Sequence, residues 1–201
     1  GSIKLGEAGT LASTITMSGG TLDADESSTV SGTLTQAGAI TIDVASGKTL
    51  SYSGAAVSLG AYTLTMSGEG AFSNTNALVL NNASSKLLLS SSITVGSVST
   101  SLASLGLDVD ADSTVSSFTV GHTTPVSIAS GKTLSGAITV TAGSIKLGET
   151  GTLASTVAMS GGTLDIDNSL TLSGTLTQSG AITIDVADRK TLSYSGDEIS
   201  L

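Results

Sequence analysis

Apolar and polar residues alternate along much of this 201-residue chain. Ile40-Thr41-Ile42-Asp43-Val44 switches at every position, as do Leu107-Asp108-Val109-Asp110-Ala111-Asp112 and Leu164-Asp165-Ile166-Asp167. A period of two puts the apolar side chains on one face of an extended strand and the polar ones on the other. Valine, isoleucine and threonine are enriched in these stretches, and branching at Cβ suits a pleated surface while penalising a helix. Ser18-Gly19-Gly20, Ser31-Gly32, Ala37-Gly38, Ser46-Gly47-Lys48 and Ser53-Gly54 stand between them as tight corners. No sustained helical stripe is present, so the pattern predicts many short strands and no helix.

The strands belong to a duplication. Ile3-Lys4-Leu5-Gly6-Glu7 returns as Ile145-Lys146-Leu147-Gly148-Glu149, and sliding residues 1–59 onto 143–201 gives about 46 identities in 59 positions. Residues 1–142 are therefore read as one complete long repeat, and 143–201 as the start of a second copy in the same continuous array. A looser echo lies within: Ala45-Ser46-Gly47-Lys48-Thr49-Leu50-Ser51 returns as Ala129-Ser130-Gly131-Lys132-Thr133-Leu134-Ser135. Such echoes are spaced in multiples of about 20 to 25 residues, the length of one solenoid coil.

Short strands and tight turns also suit an antiparallel sandwich, which closes after about 100 residues around a single core. Near-identical units instead need equivalent neighbours against which to bury their faces. The expected fold is an all-β, parallel β-solenoid: an elongated rod of roughly nine coils, near 40 Å long at about 4.8 Å per coil. Ile40, Ile42, Val44, Leu50, Leu64, Met66, Leu78, Leu80, Val109, Ile138, Val140, Ile182 and Ile184 are expected among its inward residues. Only 2% of the residues are aromatic, which fits a narrow bore lined by aliphatic ladders.

Composition narrows function. The chain has no cysteine and one histidine, so a disulfide scaffold, a thiolate metal site and a cysteine nucleophile are excluded. Sixteen acidic against seven basic residues give a net charge of −9, unsuited to nucleic acid or an anionic membrane surface. The longest apolar clusters, such as Leu87-Leu88-Leu89, fall far short of the roughly 20 residues of a membrane-spanning helix. No membrane insertion is expected in this segment.

Each chemical motif has a plainer reading beside it. Gly47-Lys48-Thr49 and Gly131-Lys132-Thr133 resemble the end of a phosphate loop, but Ile42 and Val126 stand where its first glycine must be, and Arg189 replaces the triplet's own glycine in the second copy. They read as turns that do not require glycine. Asp108, Asp110 and Asp112 open like a calcium loop, yet Ser113 replaces its glycine and Thr119 its bidentate glutamate. These three aspartates are candidate ligands for a weak structural Ca²⁺. Asp23, Asp25, Asp43, Asp165, Asp167 and Asp185 raise a related pair of readings: solvated outward faces, or carboxylates of adjacent coils bridged by Ca²⁺. No other cofactor is expected. Paired carboxylates also hydrolyse glycosides, but an array with one arginine and few sugar-stacking rings does not suggest an enzyme. His122, with no acid near it in sequence, reads as a loop residue. Asn82-Ala83-Ser84 is the sole N-glycosylation sequon. Threonine pairs, Thr14/Thr16, Thr33/Thr35, Thr63/Thr65, Thr139/Thr141 and Thr175/Thr177, keep an ice-binding lattice open as an alternative.

The run Met17-Ser-Gly-Gly-Thr-Leu-Asp23, followed by Val30-Ser-Gly-Thr-Leu-Thr35, Gly38-Ala-Ile-Thr-Ile-Asp43 and Ala45-Ser-Gly-Lys-Thr-Leu50, resembles autotransporter passengers and large repetitive bacterial surface adhesins. The resemblance covers essentially the whole chain. It implies an extracellular or cell-surface β-solenoid used as a stalk, adhesin or self-assembling filament. Its partners would be further copies of the same repeat, in the same chain or end to end between chains. A second class is a binding module in which one face of the rod engages cell-surface glycans through many weak contacts.

Overall fold

The computed structural model describes residues 1–196. Among them there is no helix, and every pairing between strands is parallel. Ten strands stack into one sheet, from Ser2–Leu5 through Thr21–Ala24, Ile40–Val44, Thr63–Gly68, Lys86–Leu89, Gly106–Val109, Thr124–Ile128, Ser144–Leu147 and Thr163–Ile166 to Thr183–Val186. Successive coils are offset by 19 residues where Ser2 faces Thr21 and by 24 where Thr41 faces Thr65, with the others between. The chain is thus a parallel β-solenoid of about ten coils. At about 4.8 Å per step the stack is roughly 43 Å long.

Each coil returns along a second, 13-stranded sheet. Its path bends: Thr94–Thr100 is a single strand, yet it pairs with Ala71–Asn74 at one end and with Leu78–Leu80 at the other. In the first two coils the far part of this side is a separate pair, Ile15–Met17 on Leu34–Gln36. A coil therefore has three straight stretches.

The period-two pattern acts directly. Ile40, Leu64, Leu87, Leu107, Val126, Leu147 and Ile166 stand one above another in register, all buried, while Thr41, Thr65, Leu88 and Asp108 form the neighbouring outward column. Each apolar side chain finds its partner one coil away, not along its own strand. Two expected inward residues differ. Ile182 is only partly buried, and Ile184 keeps its register with Leu164 but is 43% exposed, because no further described coil covers it. The bore also holds rings: Tyr52, Phe72 and Phe118 are fully buried, with Tyr52 and Phe72 stacked at a centroid distance of 6.1 Å.

The Gly-Lys-Thr corners are turns, with one correction. Gly47 and Gly131 adopt φ of 71° and 72°, and Arg189 adopts φ of 60° at the equivalent place. The corner keeps its left-handed conformation when glycine is lost, so the second copy carries strain that glycine avoids.

Candidate functional site

The outward face of the first sheet carries the chain's organised charge. Lys4, Asp23, Asp43 and Ser67 form one column across four coils, and Lys146, Asp165 and Asp185 repeat it in the second copy. Strand register sets aspartate directly beside aspartate, and like charges so placed repel. Lysine stands next in line: Lys4 Nζ lies 2.6 Å from Asp25 and 3.7 Å from Asp23, and Lys146 Nζ lies 2.8 Å from Asp165. On the other side Ser67 Oγ donates to Asp43. The hydrogen bond to Asp25, reinforced by the charges of Asp25 and Asp23, raises the Lys4 pKa, and that to Lys4 lowers the Asp25 pKa. Asp165 raises that of Lys146 in the same way. Lys86 pairs with Asp108, and Lys48 Nζ reaches Glu26 at 2.6 Å across a corner. Lys4, Lys48, Lys86 and Lys146 are thus each paired with an acid one coil away.

That arrangement separates the calcium candidates. Asp108 is engaged by Lys86, whereas the Asp112 carboxylate accepts the Thr133 amide at 2.8 Å, and Asp110 is exposed. Among the described residues no three histidine, aspartate or glutamate side chains converge where they could hold a metal ion. His122 is exposed at a corner, its carbonyl accepting a hydrogen bond from Thr124 Oγ1. The threonine pairs fall on different sides of the coil. Thr63 and Thr65 lie in the first sheet opposite Lys86 and Leu88, Thr139 lies in the second between Thr119 and Ala158, and Thr35 faces Thr16 in the two-stranded pair.

One surface escaped the sequence reading. The corners that lead back into the first sheet hold three residues at 18–20 and 121–123 but five at 81–85 and 101–105. The enlarged part exposes Tyr62, Leu102 and Leu105 in the middle of the long repeat, beside the Asn82 sequon. The coils that carry Tyr62 and the 81–85 corner lengthen to 24 and 23 residues, whereas the one that carries Leu102 and Leu105 keeps an ordinary 20, so coil length signals only the first part of this surface.

No described helix is long and apolar enough to cross a membrane. No protein-family model, curated protein or solved structure matches the chain.

Proposed function

We propose that this chain is a non-catalytic structural segment of an extracellular or cell-surface protein. It acts as a stiff β-solenoid stalk or filament that supports adhesion or matrix, as the resemblance to repetitive surface adhesins implies. The observation that carries this reading is the stacking of the two copies. Ser144–Leu147 occupies the same sheet as Ser2–Leu5, seven coils further on, with no break in the parallel ladder. An array that continues one axis through the junction gains length with every repeat by extending one core, which suits projection or spanning. Its partners would be further copies of the repeat. The net charge of −9 leaves an acidic rod that repels its neighbours at low salt and bundles when salt screens it.

The test is a length series. Chains carrying one, two and three copies of the 142-residue repeat are compared by small-angle scattering and electron microscopy. The expected result is particles of constant width that lengthen by about 34 Å per added repeat, seven coils at about 4.8 Å each. Globular particles whose diameter grows in all directions would overturn the reading. Immunogold labelling of the cells that produce the protein decides whether it is outside them.

A further inference from the structure

The duplication lets the chain serve as its own control, because one sequence is seen both with and without a neighbouring coil on its upstream side. Residues 143–159 are covered by residues 121–142. Ile145 faces Thr124, Leu147 faces Val126, and Thr152–Met159 lies along the whole of Thr133–Val140. Ile145, Leu147, Leu153, Val157 and Met159 are all buried there. The nearly identical residues 1–17 have no such cover. Ile3 is 36% exposed, Leu5 and Leu11 are only partly buried, and shallow hollows open beside Ile3 and Leu11. The strand itself responds. Thr152–Met159 is continuous for eight residues, whereas its counterpart is broken into Thr10–Leu11 and Ile15–Met17.

The glycines of this face carry the mark of a neighbour. A Cβ at Gly151 would lie 2.4 Å from the Ile128 side chain, and one at Gly143 would lie 2.6 Å from the His122 backbone. At the matching Gly9 and Gly1, a Cβ would meet nothing within 4 Å. Nothing in the first coil's own packing accounts for glycine at position 9; in the second copy it is the notch that receives Ile128.

We infer that the face formed by residues 1–17 is a docking surface for one particular partner, a coil with the sequence of residues 121–142 supplied by another copy of the repeat. The Ile128 side chain of that coil enters the Gly9 notch, and its Thr133–Val140 strand draws residues 10–17 into one continuous strand. This rests on the proposal of a stacking rod and adds the identity of the coil that stacks.

The experiment places residues 103–142 ahead of Gly1 in the full chain and follows amide hydrogen exchange with and without the addition. The amides of residues 2–5 and 10–17 are expected to exchange about tenfold more slowly, or better, approaching those of residues 144–159. Gly9→Val should leave the unextended chain unchanged and cancel the gained protection in the extended one, whereas Gly151→Val should weaken both chains. Residues 2–17 that exchange at the same rate in both chains overturn the inference, whether or not the added residues are themselves protected. So does Gly9→Val leaving the gain intact. An unextended chain that still images as a rod while residues 2–17 gain nothing removes the docking surface alone and leaves the structural role standing.

Discussion

The Tyr52 hydroxyl accepts the Leu34 amide one coil back at 3.0 Å and donates to the Ala55 carbonyl at 2.7 Å, so a buried phenol joins two windings at a corner. Tyr194 stands in the same relation to the Leu176 amide, at 3.3 Å. Leu34 is buried, and its amide has no water to turn to if the hydroxyl is lost. Tyr52→Phe preserves the ring stacking on Phe72 but leaves that donor orphaned, at a cost of about 1–3 kcal/mol. Urea denaturation should show the loss; an unchanged midpoint would mean that the corner relaxes to find another acceptor.

Arg189 gives the opposite sign. It holds φ of 60° at a corner where Gly47 and Gly131 adopt the same conformation, and its side chain is 92% exposed and lies 3.5 Å from Asp188. A side chain in the left-handed region costs roughly 1–2 kcal/mol. Arg189→Gly removes that strain at the expense of a little unfolded-state entropy. The expected net is a gain of about 1 kcal/mol local to the last described coils, read by hydrogen exchange of residues 183–194.

These two corners show what could be read without coordinates. Strand positions such as Ile40–Val44 are legible because burial on one face leaves a period of two in the sequence, and the axis is legible because residues 143–196 must repeat what residues 1–54 do. The identity of each coil's neighbour is harder, since it depends on loop length to the residue. Lys86 meets Asp108 at a separation of 22 and Lys4 meets Asp23 at 19, so no fixed spacing announces the lysine–aspartate columns. Few aromatics suggest a bore without rings, yet Phe72 and Phe118 fill it, Phe72 in line with Leu50 and Val95 and Phe118 in line with Val98 and Ile138. The strain at Arg189 was hidden for another reason. Replacement of glycine looked like freedom to vary, when the backbone had kept its conformation and strained the new residue.

Calcium is the next question. With Asp108 paired to Lys86 and Asp112 accepting the Thr133 amide, the expected outcome is a thermal transition that does not move between millimolar calcium and excess chelator. A rise with calcium that disappears in the double variant Asp110→Asn, Asp112→Asn would restore a site at these aspartates. A rise that survives that variant but is lost in Asp23→Asn, Asp43→Asn would place the ion on the first sheet instead.

The charged columns should give stability a broad plateau in pH. The Asp25 pKa is lowered from its ordinary 3.8, so its contribution is present above that value and fades as pH falls through the lower folded one. Those of Lys4 and Lys146 are raised from 10.5, so their contribution is present below that value and is lost as pH climbs through the higher folded one. All three groups are on the surface, so the effects are small and salt-sensitive. Lys146→Met keeps the aliphatic stem but removes the cation beside Asp165 and Asp185. At neutral pH and low salt the variant should melt below the parent, and the gap should close either with added salt or as pH climbs through the raised Lys146 pKa, where the parent loses the same cation. A gap that ignores both would assign the loss to packing.

Position along the stack decides how much a core residue matters. Leu64 is fully buried with Ile40 below it and Leu87 above, whereas Ile184 continues an equivalent ladder and, among the described residues, has a strand partner on one side alone, Leu164. Leu64→Ala leaves a cavity enclosed on both sides and should cost about 2–5 kcal/mol. Ile184→Ala removes a side chain already 43% exposed and should cost only about 1 kcal/mol. In a quasi-one-dimensional stack each coil is coupled chiefly to its neighbours, so the two losses should also differ in where they appear. Hydrogen exchange should show Leu64→Ala loosening residues 40–44 and 86–89 while residues 144–166 remain protected. Loosening that spread evenly over the whole rod would show instead that the coils unfold as a single cooperative block.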